Sequence, residues 1–389
     1  MKGLHYVSWA DNSGYAVAAR GYLRLLQDAG VELTWTPMLP SAEGYAEVPV
    51  VAGEFEALCG QTIAYDTVVV HTPPEYFPAW VARERPRGRR VLGYTVWELD
   101  ALPPHWPAAL NQLDGVLVPT AANADAFRRS GVTVPIHEVP HLSQFEFAAP
   151  PSEADRQQLR RRIGHHLLEG QPYIFYAIAQ WSRRKGVDAT LAAYRAAFTA
   201  SDPVLLVIKT SARDVTRLTR DWRSGFRRTH PSPLDTIARG QGKTSPRIAV
   251  IADETLAPGE ILALHEMGDC YVSLARAEGW GLGTFDAARL ARPVVATGWG
   301  GPTSFLEGED TPPGMVAYDM VPVDEPPWLG SYTANQLWAE PSIADAAEKL
   351  RAVFAAPERA RQAAATRAGR LRVQYGAEAI TSRLLKALQ

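Results

Sequence analysis

The sequence predicts an α/β protein of two domains built on parallel sheets covered by helices on both faces. Three observations predict it. The 389 residues exceed what one ordinary core organises, so two domains are the natural division. Apolar strand-like runs alternate with amphipathic helical stretches, the pattern of parallel sheets covered by helices on both faces. Residues 271–306 also compress strand, glycine elbow, helix, strand and second elbow into one stretch, with a carboxylate on either side of the first elbow.

Bulk properties narrow the class further. The chain is 46% hydrophobic and 21% charged, as expected of a globular protein. A formal net charge of −2 gives no global field favouring nucleic acid or anionic membrane. Cys59 and Cys270 lie far apart without metal-ligand spacing, and both read as small buried hydrophobes. The opening MKGLHYVSWADNSG is too short and polar for a signal peptide, and no apolar run approaches membrane-spanning length. The expectation is a cytoplasmic protein with no integral membrane segment and an open oligomeric state.

In chain order, Leu4 to Trp9 reads as a strand, Asp11 to Gly14 as a turn, and Ala16 to Ala29 as an amphipathic helix stopped by Gly30. Strands are expected at Val31–Thr36, Thr67–His71, Arg90–Thr95 and Gly115–Pro119, with a helix over Asn123–Ser130 closed by Gly131. Residues 40–62 have no period and read as loop plus a short helix. His71, Glu98 and His141 each follow an apolar strand; either they bond nearby loop backbone or, with Asn12–Tyr15, they form one rim of a binding site. Residues 150–171 form a boundary around a charged helix whose Arg160-Arg161-Arg162 run reads as a solvated face.

Beyond the boundary, Tyr173–Ala179 is a strand followed by Gln180-Trp181-Ser182-Arg183-Arg184-Lys185-Gly186 and a helix over Val187–Thr199. Strand, basic turn and helix start together suit a diphosphate, because helix amides and cationic side chains neutralise it; the plainer reading is that the arginines are solvated. Val204–Lys209 is a strand ending in lysine. Residues 210–247 carry arginines at helical spacing, with too few aromatics beyond Trp222 and Phe226 for a nucleic-acid surface. Strand Ile248–Ile251 and helix Leu256–Glu266 lead to the elbow Glu278-Gly279-Trp280-Gly281-Leu282-Gly283. Thr284 is the expected N-cap of a helix over Phe285–Ala291, which Pro293 stops before strand Val294–Ala296. Glycines let backbone approach a ligand, and Glu278 and Asp286 bracket the turn where open α/β sheets bind ligands. In the Pro- and Gly-rich stretch after Leu306, Trp328, Tyr332 and Trp338 either pack under the domain or line an acceptor. The tail from Ser342 to Leu388 reads as helical.

Glu278-x7-Asp286 with an internal Gly-Trp-Gly-Leu, followed by PVVAT and a Gly-Gly turn, resembles the retaining GT-B glycosyltransferases of family 4. Their signature is Glu-x7-Glu; here the second carboxylate is one methylene shorter. The resemblance is strong over about 170–306 and looser over the first domain. It implies two Rossmann-like domains facing across a cleft, an acceptor domain over 1–165 and a nucleotide-sugar donor domain over 166–365. A helix over 366–389 would pack back on the first. Relatives carry Arg-x4-Lys in the basic turn; Lys185 matches the lysine, Gln180 stands at the arginine, and Arg184 would supply the second charge. By resemblance Lys185, Arg184 and Glu278 are catalytic, and Glu98 stands near the position of a donor-contacting histidine. Gly14, Gln180, Lys209, Glu254, Gly279, Trp280, Gly281, Leu282 and Gly283 would line the donor, with Asp286 on the ribose diol.

The implied reaction moves a sugar from a UDP-, GDP- or ADP-linked donor to a small-molecule, glycan or polypeptide acceptor. No Asp-x-Asp occurs in the chain, in keeping with a metal-independent leaving group and no cofactor. A nicotinamide dehydrogenase is disfavoured, because no first-domain strand precedes G-x-G-x-x-G. A sugar-nucleotide epimerase on the same fold and a non-catalytic nucleotide-sugar binder stay open as alternatives. Product formed without an acceptor would mark the first, and binding without turnover the second.

Overall fold

The computed structural model describes residues 2–212, 234, 237–238, 240–252, 256–308, 314–325 and 331–389. The chain divides into two compact units, Met1–Glu146 with Val373–Gln389, and Phe147–Arg372.

The first unit is organised by β1 (Leu4–Trp9), α1 (Gly14–Asp28), β2 (Leu33–Ser41), β3 (Gly44–Glu47), β4 (Thr67–His71), α2 (Phe77–Glu84) and β5 (Arg90–Tyr94). It continues through α3 (Trp106–Leu110), β6 (Gly115–Val118), α4 (Ala121–Arg129) and β7 (Ile136–Glu138). The sheet order is β3-β2-β1-β4-β5-β6-β7. Every pair is parallel except β2 with β3. Strand order reverses between β1 and β4, the switch point outside whose carboxyl ends open α/β sheets hold ligands. β-Branched, fully buried runs such as TVVVH make the central strands. Ser13 caps α1 through the Ala16 amide, and Thr120 caps α4 through the Asn123 amide.

Two expectations are corrected here. The aperiodic stretch after residue 40 contains a hairpin, because β2 runs on to Ser41 and turns back as β3, where Tyr45 stacks on Trp9 at 3.8 Å. His71 and His141 are not on a rim. Both are buried in an aromatic network, where His71 Nδ1 meets the Tyr6 hydroxyl at 2.8 Å and His141 Nδ1 meets the Tyr22 hydroxyl at 3.0 Å.

The second unit starts with α5 (Glu153–Ile163), which closes on Ser152 through a capping box. Leu159 is buried and Arg162 pairs with Glu260 at 2.8 Å, so this charged helix belongs to the second unit. Then come β8 (Tyr173–Ile178), α6 (Val187–Ala197), β9 (Val204–Thr210), β10 (Arg247–Ala252), α7 (Pro258–Met267), β11 (Cys270–Ser273), α8 (Leu282–Arg289), β12 (Val294–Ala296) and α9 (Thr303–Leu306). The parallel sheet has the order β10-β9-β8-β11-β12, so its switch point lies between β8 and β11. Phe175, Leu206, Ile208 and Val272 from the strands pack with Val187 and Tyr194 of α6 and Leu350 of α10 (Ile343–Ala355) in one core. A separate antiparallel pair joins β13 (Tyr318–Pro322) to β14 (Leu337–Pro341). Trp338 of β14 is wholly buried, and Tyr332 is half-buried. Cys59 is half-buried and Cys270 buried, and both are free thiols.

α11 (Pro357–Gln374) carries the chain out of the second unit, and α12 (Ala377–Leu388) rejoins the first. There Ile380 and Leu384 are buried and Arg90 donates to the Leu388 carbonyl at 3.0 Å. Among the described residues no helix is long and apolar enough to cross a membrane. The arginine-rich segment 213–228, with Trp222 and Phe226, lies outside the described residues, as does Trp328.

Candidate active site

The site grows from the two loops that leave β8 and β11, the strands flanking the second unit's switch point. Gly186 ends the first loop in the left-handed region, at φ 62°, where a Cβ would stand 1.8 Å from the Leu274 carbonyl oxygen. Only glycine allows that approach, so the residue sets how closely the loops can pack. A backbone bond from the Arg276 amide to the Arg184 carbonyl, 2.7 Å, then ties them together.

This packing brings Lys185 to Glu278. The Lys185 ammonium donates to both Glu278 oxygens, at 2.7 and 2.9 Å. Arg184 stands beside the pair, its Nη1 3.6 Å from a Glu278 oxygen and donating to the Ala277 carbonyl at 2.8 Å. Burial pushes the Glu278 carboxyl up, but the charges of Lys185 and Arg184 outweigh it and hold its pKa below the usual carboxylate range. Arg183 turns away to Asp324 at 2.6 Å, and the Glu325 carboxylate accepts the Arg184 amide at 3.0 Å.

The glycine elbow follows Glu278. Gly281, at φ 85°, begins α8, so the helix starts at Leu282 and not after Thr284 as the sequence suggests. A left-handed glycine redirects the chain before the threonine can cap it, and Thr284 is buried within the first turn. The amides of that first turn have no intrahelical acceptor, which suits an anion. The Trp280 indole packs among Phe285 and Phe305, so at this position it is backbone that faces the elbow's turn. The loop after β12 supports the elbow through a 2.7 Å bond from the Gly301 amide to the Glu278 carbonyl. Asp286 lies one turn into α8 with no exposed surface.

The remaining expected residues are more scattered. Gln180 is exposed just past β8, and Lys209 is half-buried, in register with Ile178 on the neighbouring strand. Gly14 and Glu98 belong to the first unit, where Gly14 opens α1 and Glu98 lies in the loop after β5. Tyr15 joins those two segments by meeting Thr95 Oγ1 at 2.9 Å. Glu254 lies outside the described residues. Among the described residues no group of three or more His, Cys, Asp or Glu side chains could hold a metal ion.

Sequence reasoning passed over Arg276, Ser182 and Glu325. Ser182 Oγ accepts the Lys185 amide at 3.3 Å, and Arg276 clasps the basic turn from beneath. A signal for Arg276 existed: an arginine between two alanines, following an apolar strand, needs a built set of partners.

No protein-family model matches the chain, and no curated protein matches it. Solved structures do. HepE of Anabaena in complex with UDP and glucose superposes with a TM-score of 0.64 over 100% of this chain and 99% of its own, at 12% identity. Sucrose-phosphate synthase from Thermosynechococcus elongatus gives a TM-score of 0.68 at 13% identity, covering 100% and 98%. The α,α-trehalose 6-phosphate synthase of Burkholderia multivorans gives 0.62 at 12%, covering 100% and 98%. The chain has the GT-B fold. In this GT-B chain the Lys185–Glu278 pair sits at the switch point of the second Rossmann-like unit.

Proposed function

We propose that the protein is a retaining, metal-independent glycosyltransferase that moves a sugar from a nucleoside-diphosphate sugar to a hydroxyl acceptor. The observation that carries this reading is the meeting of Lys185 and Glu278, at 2.7 Å, outside the carboxyl ends of β8 and β11. A cationic turn, a carboxylate and a glycine elbow at one switch point suit an anionic leaving group joined to a hydroxylated sugar.

In the proposed reaction the bond between the anomeric carbon and the diphosphate oxygen breaks and a bond to the acceptor oxygen forms. The acceptor's proton passes to the departing diphosphate oxygen, and the nucleoside diphosphate leaves. Lys185 and Arg184 stabilise the charge that grows on the diphosphate, together with amides of Gly279–Gly283. Glu278 exchanges its lysine for donor sugar hydroxyls. Asp286 holds the ribose diol, which requires the elbow to part, because the carboxylate has no exposed surface in this state. Gln180 and Lys209 border the donor. Gly14, expected at the donor, and Glu98, expected to be catalytic, both belong to the first unit, the proposed acceptor domain. Retention of configuration follows the family resemblance.

HepE is described in complex with UDP-glucose, which makes UDP-linked donors the first to test. Thermal shift with UDP, GDP and ADP, then product analysis with the matching nucleotide sugars, tests the reading. Binding of one nucleoside diphosphate and acceptor-dependent glycoside formation are expected. Product without any acceptor would turn the reading toward an epimerase, and no binding by any of the three would overturn it.

A further inference from the structure

We infer that Arg276 is a positioning residue for the phosphate-binding turn, acting through the backbone of Arg183 and Arg184 without touching substrate. The inference rests on the proposed donor site. Arg276 lies two residues before Glu278, and only 3% of its side chain is exposed. Its guanidinium uses all five N–H groups. Nε and Nη2 donate to the two oxygens of Glu340 at 2.6 and 2.7 Å. Nη1 and Nη2 donate to the two oxygens of Asp188 at 3.0 and 3.1 Å. The last donor, on Nη1, goes to the Arg183 carbonyl.

The backbone of Arg276 completes the clasp. Its amide bonds the Arg184 carbonyl at 2.7 Å, and its carbonyl accepts the Ala339 amide at 3.0 Å. Two successive carbonyls of the basic turn are thus held by one residue, which is itself anchored to the first turn of α6 by Asp188 and to β14 by Glu340. Lysine cannot reproduce this, because a point-charge ammonium with three donors cannot face two carboxylates bidentately and a carbonyl at once. Asp188 and Glu340 keep 51% and 35% of their side-chain surface, so both can be rehydrated if the arginine is lost. The design therefore fixes where Lys185 and Arg184 stand.

The test measures nucleoside-diphosphate affinity by calorimetry, using the nucleotide selected by thermal shift, for Arg276→Met and Arg276→Lys. Loss of an outer-shell group that orients a metal's ligands costs roughly 10- to 100-fold in affinity or activity, and Arg276 stands in the same relation to the groups of the basic turn. That loss is expected for Arg276→Met, with Arg276→Lys between it and wild type. In a Lys185→Ala background the further loss should largely vanish, because the turn has then lost the charge that Arg276 positions. Wild-type affinity in Arg276→Met, or an undiminished loss in the Lys185→Ala background, would overturn the inference. Should Arg276→Met fail to fold, Asp188→Asn and Glu340→Gln each release one edge of the guanidinium; a several-fold loss is expected, and unchanged affinity in both would overturn it. Hydrogen exchange in the ligand-free protein keeps the two readings apart. Arg276→Lys should hasten exchange at the amides of Lys185, Gly186 and Arg276 relative to β8. Unchanged exchange there overturns the positioning role, whereas a wild type that binds no nucleotide overturns only the proposed function.

Discussion

The two units reverse their strand order in the same way and surround the switch point with opposite chemistry. Around β1 and β4 the first unit places Tyr6 and His71 of those strands, Tyr94 of β5, Tyr22 of α1 and the loop residue His141, neutral groups bonded out of water. Beyond β8 and β11 the second unit places Lys185, Arg184 and Glu278, charges held at the edge of solvent. One fold thus carries a closed network at one switch point and a poised ionic one at the other. Side chains at the strand ends, more than the topology, decide which switch point can meet a charged ligand.

Removing charge from the second unit should have the largest effect. A charge-assisted contact is worth roughly 1.5–3 kcal/mol, so Lys185→Ala should lose most turnover and weaken nucleoside-diphosphate binding, measured by steady-state kinetics and calorimetry. Near-normal values for both would return Lys185 to the solvated surface. Glu278→Gln separates the parts, with turnover falling further than affinity for the nucleotide alone.

The first unit should answer the matching insult differently. The Tyr22 hydroxyl lies within donating reach of the Tyr94 hydroxyl and the Val139 and Pro140 carbonyls, at 2.8, 3.0 and 3.0 Å, and meets His141 Nδ1 at 3.0 Å. Leaving such buried partners unsatisfied costs about 1–3 kcal/mol. Tyr22→Phe should therefore lower the melting temperature while leaving nucleotide affinity intact; weakened binding without lost stability would erase the contrast.

Acid sharpens it. Burial depresses His5 to about 4 and His141 to about 3 in the first unit, and holds His71 well below its usual value and His137 below it. In the second unit His265 is depressed to about 3, mainly by burial. These folded values lie below the roughly 6.5 of an unfolded histidine. The stability they contribute is full above that pH and drains away as pH falls toward the folded values. Hydrogen exchange across that window should show the first unit opening before the second, and the reverse order would remove the histidine explanation. The smallest expected effect is that of Asp286→Asn, a modest loss of nucleoside-diphosphate affinity; none at all would take Asp286 out of the donor site.

Much of this was readable in the chain where physics is local. Thr67–His71 and Val294–Ala296 occupy the spans their β-branched runs suggest. The hairpin after residue 40 was not readable, because Pro37 and Pro40 blur the alternation and the hairpin's stacking partner Trp9 lies in another strand. Lys185 and Glu278 each announced themselves through their own loops, but their pairing spans 93 residues and depends on the strand order. Arg276 was missed for the same reason, since its carboxylates lie 88 and 64 residues away.

The ion pair between Lys185 and Glu278 also bears on selectivity among anions. With Arg183 on Asp324 and the Glu325 carboxylate against Arg184 as well, the turn presents little uncompensated charge to its surroundings. An incoming anion must part lysine from glutamate and leave a carboxylate in need of new donors. On the proposed function a nucleotide sugar would supply them, its hydroxyls facing Glu278 as its phosphates take Lys185. Orthophosphate and sulfate bring charge without hydroxyl donors, and should inhibit only weakly even at high concentration.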